Sequence, residues 1–166
     1  VSGIDIFAGP SEVTIIADKY SNPEWISADL IAQSEHDEMS QSILVSESKD
    51  LIHNVQNYLI KQIKFLPKKK IASISLSKFG LAILARNSRE VSEIANIIAP
   101  EHLQIYTKKP DRYLKSIENA GSIFLGAYSP EAVGDYIAGP NHVLPTSGTA
   151  KFSSGLSVLD FLKRQS

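Results

Sequence analysis

The sequence predicts an α/β fold built on a mostly parallel sheet. Short apolar, β-branched runs alternate along the chain with longer segments whose apolar residues recur at helical spacing. Such alternation builds strand–helix–strand units, whose successive strands lie parallel. The connections are short and no internal repeat or low-complexity tract intervenes, so residues 1–166 read as one domain portion with no internal boundary.

The elements follow in order. Glu12-Val-Thr-Ile-Ile-Ala17 is a buried strand. Asn22 before Pro23 is a helix start, a side-chain cap followed by proline at the first helical position, and predicts a helix from about Pro23 to about His36. Gln41 to Val45 is a second strand. Ser48 to Phe65 reads as a helix, with Leu51, Ile52, Val55, Leu59, Ile63 and Leu66 at helical spacing. Pro67 interrupts it, and Lys68-Lys69-Lys70 reads as a solvated turn or helix start. Gly80 to Ala85 is a third strand. Ser88 is expected to cap a helix carrying Val91, Ile94, Ala95 and Ile98 on one face. Pro100 biases Ala99 away from helical backbone and ends that helix. Leu103 to Tyr106 is a short strand, Pro110 to Asn119 a helix, and Ala120 to Leu125 another strand. From Ser129 the glycines and prolines mark an irregular stretch. Phe161-Leu162 reads as the start of a further helix.

Composition removes several classes of function. Seventeen basic against eighteen acidic residues give a net charge of −1, which excludes the basic surface of a general nucleic-acid or anionic-membrane binder. Hydrophobic residues at 43% and charged residues at 21% are globular usage and argue against wholesale disorder. The absence of cysteine excludes disulfide scaffolds, thiolate metal sites and cysteine nucleophiles. No apolar run approaches the roughly 20 residues needed to span a bilayer. The opening Val1-Ser2-Gly3 carries neither a methionine nor a signal-peptide pattern and reads as the interior of a longer chain. A cytoplasmic location is the expectation.

Chemistry is offered by three of the four histidines. His53 lies among ordinary helix-surface residues and carries no metal signal. Asp29, Gln33 and His36 are spaced by four and three, which places them on one helical face where they could converge on a cation or polar ligand. A histidine in a last helical turn equally complements the helix dipole. Glu101-His102 joins a carboxylate to an imidazole, two proton carriers of different ordinary pKa. On a regular strand the two would point to opposite faces, so joint action needs irregular backbone, which Pro100 favours; an exposed turn pair is the plain alternative. Asp135 and His142 lie in a Gly- and Pro-rich loop. Ser11, after Gly9-Pro10, could cap or bind a ligand. No dinucleotide fingerprint, phosphate-binding loop or Gly-x-Ser-x-Gly elbow is present. Gln33, His36, Glu101, His102, Asp135 and His142 together suit zinc or another divalent metal in an N/O site. Residue types alone leave open a metal-dependent enzyme and a metal-stabilised binding module.

Five ordered motifs go further: Gly3 to Val13, Gln33-Ser-Glu-His36-Asp37, Ala99-Pro-Glu-His-Leu103, Gly134 to Thr146, and Phe152-Ser-Ser-Gly-Leu-Ser157. Together they resemble histidinol dehydrogenase over essentially the whole chain. The resemblance implies a Rossmann-like three-layer domain related to aldehyde dehydrogenases, and two successive NAD-dependent oxidations of L-histidinol to L-histidine through the aldehyde. It also implies a zinc-containing homodimer with active sites shared between subunits. By motif, Gln33, His36 and Asp135 resemble zinc ligands, His102 the general base, and Glu101 the activator of water. Ser11 and His142 resemble substrate contacts, joined at the substrate by Gln33, His36, His102 and Asp135. The fourth family zinc ligand and a substrate-contacting glutamate belong to a tail beyond Ser166, and the NAD contacts to a segment before the region matching Val1. The 166 residues alone are therefore expected to give no NADH from L-histidinol with added zinc. A non-catalytic remnant, at most a weak binder of metal or imidazole ligands, is the other expectation; the reading frame on either side separates the two. An incomplete domain with an exposed sheet edge is also expected to self-associate.

Overall fold

The structure is a computed structural model that describes residues 9–137, Gly139 and 141–163; for Asp135 it describes the backbone alone. Five parallel strands form one sheet: β1 (Glu12–Ala17), β2 (Gln41–Ser46), β3 (Gly80–Leu84), β4 (His102–Tyr106) and β5 (Ser122–Leu125), in the order β3-β2-β1-β4-β5. The chain winds outward from β1 in one direction and then in the other, so helices cover both faces. The α/β class and the parallel sheet agree with the sequence pattern.

Side-chain alternation sorts the core into two layers. Val13, Ile15 and Leu44 pack beneath α1 (Pro23–Ser34) and α2 (Lys49–Ile63), against Ile26, Leu30, Leu51 and Val55. Ile16, Val45, Leu103 and Ile105 point to the other face, under α4 (Ser88–Ile98), and meet Val91 and Ala95. The Asn22 cap behaves as its sequence implies, accepting a hydrogen bond from the Glu24 amide at 2.9 Å.

Several elements differ from the sequence reading. α1 stops at Ser34, so His36 lies just beyond the helix and not in its last turn. The lysine run takes the second of its two readings, a helix start, and the helix it opens, α3 (Lys69–Phe79), had no stated length; its Ser75 hydroxyl donates to the Ser40 carbonyl at 2.8 Å. Asn87, and not Ser88, caps α4, accepting from the Glu90 amide at 3.0 Å. The helix expected over 110–119 shrinks to one turn, α5 (Asp111–Leu114). Asn96 accounts for the rest, because its side-chain oxygen accepts from the amides of Glu118 and Asn119 and holds that stretch as a loop. The irregular region contains α6 (Glu131–Tyr136) and two short 3-10 turns, Thr149–Lys151 and Val158–Phe161, the second where a terminal helix start was expected.

β3 is an edge strand whose Leu81 and Leu84 are about half exposed. No helix among the described residues is long and apolar enough to cross a membrane.

Candidate active site

The site is built where β1 and β4 begin. The two strands are hydrogen-bonded neighbours, with Val13 opposite His102, so Glu12 and Glu101 stand side by side at the entrance to the sheet. Each carboxylate accepts from the other's backbone: Glu12 N–H to Glu101 Oε2 at 3.0 Å, and Glu101 N–H to Glu12 Oε2 at 3.4 Å. The second Glu12 oxygen accepts from the Ser147 amide at 3.0 Å, which ties the later loop to the same corner. Burial raises the Glu12 carboxyl pKa, and the Ser147 and Glu101 amides pull it partly back.

α4 delivers the pair. Its last residue is followed by Ala99, which adopts left-handed backbone with φ of 50°. That turn closes the helix after Ile98, ahead of Pro100, and leaves Glu101 on a bend one residue ahead of β4. Because Glu101 precedes the regular strand, its side chain is not forced to the face opposite His102. Glu101 Oε2 lies 3.5 Å from His102 Nδ1, and both residues line one cleft. The irregular backbone that joint action required is present.

His102 is almost fully buried, and its Nδ1 lies 3.1 Å from the Glu12 carbonyl oxygen. A carbonyl oxygen only accepts, so in the neutral ring Nδ1 carries the proton and Nε2 carries the lone pair. Glu131 Oε1 approaches the same Nδ1 at 3.4 Å. Two carboxylates thus flank one imidazole nitrogen, and they stabilise positive charge that develops when Nε2 takes a proton. The Phe124 ring packs 6.0 Å from the imidazole, centre to centre.

The cleft is about 380 Å³ and is lined by Ser11, His36, Glu101, His102, Glu131 and His142, with Tyr136. An adjoining hollow of about 270 Å³ shares His36, Glu131 and Tyr136 and adds Asp29, Gln33 and Lys68. Gln33 is 1% exposed. With its nitrogen turned toward Glu131, its amide donates to both carboxylate oxygens, at 2.7 and 3.0 Å. Ser11, Gln33, His36, Glu101, His102 and His142 therefore meet around two joined hollows. The Asp135 side chain lies outside the described residues. Among the described residues no three His, Asp or Glu side chains are grouped to hold a metal. The donor set still fits zinc in part: Gln33 and His36 share a hollow, and Gln33 is anchored through its nitrogen, which leaves its oxygen as the donor.

Sequence reading missed Glu131 and Glu12. Glu131 stands four residues before Asp135, and that spacing was the available signal. Glu12 was absorbed into the strand, and nothing in its flanks marked it. Location was the other surprise. The cleft lies at the amino ends of β1 and β4, opposite to the carboxyl ends where open α/β sheets usually bind ligands.

Gly134 brings α6 to the site. A Cβ there would stand 2.5 Å from a Phe124 ring carbon, closer than any real contact. Gly134→Ala is expected to push α6 away from β5 and to cost about 1–3 kcal/mol of stability by overpacking. Urea denaturation checks this, and an unchanged midpoint would refute the tight approach.

Burial also raises the pKa of Asp29, offset in part by the Gln104 amide, which donates at 3.0 Å. The folded chain then binds more protons than the unfolded chain above the ordinary value of 3.8. Its contribution is most favourable below that pH and declines as pH rises through the raised value. Asp29→Asn keeps an oxygen for Gln104 and is expected to flatten the dependence of urea midpoint on pH over the weakly acidic range. A slope equal to that of the parent protein would count against it.

These elements define a Rossmann-like α/β chain with a polar acid–base cleft at one end of its sheet. A family model described as histidinol dehydrogenase matches residues 1–166. The chain belongs to the histidinol dehydrogenase family. It is 55% identical over 163 residues to histidinol dehydrogenase of Clostridium acetobutylicum, covering 98% of this chain and 38% of that protein. For the Rhodopseudomonas palustris protein the identity is 52%, over 99% of this chain and 38% of the relative. The chain thus spans a little over a third of the length of the curated relatives it matches. The crystal structure of histidinol dehydrogenase from Elizabethkingia anophelis superposes with a TM-score of 0.92 at 40% identity, covering 96% of this chain and 36% of that one. A propionaldehyde dehydrogenase mutant from the Clostridium phytofermentans fucose-utilisation microcompartment superposes with a TM-score of 0.55 at 16% identity, over 94% of this chain and 49% of that one. That second likeness concerns the fold alone and agrees with the expected aldehyde-dehydrogenase-like architecture.

Proposed function

We propose that this chain is the part of a zinc- and NAD-dependent histidinol dehydrogenase that supplies its acid–base pair and part of its metal site. The observation that carries the reading is the single cleft shared by Ser11, His36, Glu101, His102 and His142, residues from four separate motifs. His102 Nε2 accepts the proton from the alcohol of L-histidinol as hydride leaves its carbon. NAD, when bound, would supply the hydride acceptor for each oxidation. Glu101 then draws a proton from water as its oxygen attacks the aldehyde carbon. As water adds, the protonated His102 returns its proton to the aldehyde oxygen, which frees Nε2. The hydrate then gives up a second hydride while His102 takes the hydroxyl proton, and loss of the acid proton leaves the carboxylate of L-histidine. Zinc, when bound, would grip and orient the amino alcohol and imidazole of the substrate. Gln33, His36 and Asp135 are the residues of this chain that would hold it, and Ser11 and His142 would meet the substrate. The working unit is a cytoplasmic homodimer, and the exposed Leu81 and Leu84 give it apolar edge surface to cover.

The test uses a polypeptide of the relatives' full length that carries these residues. Two NADH are expected per L-histidinol consumed. Chelation is expected to abolish activity, and zinc to restore it. Absence of NADH formation in zinc-loaded dimeric protein would sink the reading; zinc-independent turnover would sink its metal part.

A further inference from the structure

We propose that Glu131 is the positioning residue of this site, one carboxylate that sets the orientation of both Gln33 and His102. The proposal rests on the metal and acid–base roles given above to those two residues. An amide side chain has two ends that look alike in shape and opposite in chemistry. If the Gln33 oxygen faced the ionised Glu131 carboxylate, acceptor would meet acceptor at under 3 Å, so the nitrogen is placed there. The Gln33 carbonyl is thereby turned away from Glu131, as the oxygen donor that a hard or borderline cation takes from an amide. The same carboxylate lies 3.4 Å from His102 Nδ1 and, with the Glu12 carbonyl, keeps the proton on that nitrogen. Glu131 is 8% exposed and Gln33 1%, so water competes little for either contact. Glu131 opens α6, which Gly134 seats against Phe124, so its backbone has a fixed support. Metal sites commonly orient their ligands through such outer carboxylates.

Glu131→Gln keeps the size of the side chain while removing its charge and one of its two acceptor oxygens. Whichever way its new amide turns, a donor replaces one of the two oxygens that the Gln33 nitrogen meets, so the paired anchor is lost. With 15N-labelled glutamine side chains, the parent protein is expected to show the Gln33 amide protons shifted downfield and slow to exchange with water. In Glu131→Gln both features are expected to weaken, while the Gln56 and Gln62 signals and circular dichroism stay in place. Zinc alone, titrated into each protein, is expected to bind about 10–100-fold more weakly in the variant. Gln33 signals that are the same in both proteins overturn the proposal. So do parent Gln33 signals resembling those of an exposed glutamine, a result that needs no folded variant. If the parent protein binds no zinc but Gln33 still responds to Glu131→Gln, the metal reading fails and the anchoring of Gln33 by Glu131 stands.

Discussion

His102→Gln in the full-length enzyme is expected to lower kcat by about 10²–10⁴-fold while leaving the fold intact. The magnitude is the ordinary contribution of a positioned general base. Glutamine retains a side-chain donor that can reach the Glu12 carbonyl, now 3.1 Å from His102 Nδ1, so the buried corner keeps a partner. What it cannot supply is a basic lone pair where Nε2 now stands. Both of the proposed oxidations require such a base, so the loss should appear with L-histidinol and with the aldehyde alike. Glu101→Gln is expected to behave differently. It should slow oxidation of the aldehyde more than that of the alcohol, because only the aldehyde step needs activated water. Steady-state kinetics with the two substrates separate the roles. Equal losses at both steps for Glu101→Gln would remove its assignment to water activation.

Ile15→Ala is expected to destabilise the protein by about 2–5 kcal/mol. Ile15 sits in the central strand with no solvent exposure, among Leu30, Leu44 and Val55. β1 is flanked by β2 and β4, so the surrounding side chains cannot collapse far into the space left behind. Against a total stability of about 5–15 kcal/mol, such a loss is a large fraction of the whole. Leu81→Ala on edge strand β3 removes a similar side chain from a half-exposed position and is expected to cost much less. Urea midpoints of the two variants check the contrast; comparable losses would mean that the β3 face is buried in solution.

The strands, the Asn22-Pro23 helix start and the end of α4 ahead of Pro100 were legible because each depends on local chemistry: β-branching, a capping side chain, the proline ring. The Glu101-His102 pair was legible as chemistry, though not as geometry, since spacing could not tell whether the two residues share a face. The full length of α3 was hidden because three lysines suit a helix and a solvated turn equally well. The loss of most of the 110–119 helix depends on Asn96, twenty or more residues away in sequence, and no local pattern encodes that. The apolar run of β3 marks a strand but not its place at the margin of the sheet; an apolar run specifies a strand without specifying its neighbours. Glu131 escaped notice for a related reason. Its significance lies in Gln33 and His102, reached only after the chain has crossed the sheet and returned.

The left-handed corner at Ala99 has a consequence for how this sequence can change. It fixes the phase of β4: Leu103 and Ile105 fall beneath α4, while His102 and Gln104 fall on the side of α1. Adding or removing a single residue between Ile98 and His102 would invert that alternation along the strand. The imidazole would then be carried to the wrong side of the sheet, and leucine and isoleucine would be exchanged for polar groups in the layer below. Substitutions in this corner are graded in their effect, whereas a change in its length is all or none, so the number of residues here is under tighter constraint than their identity.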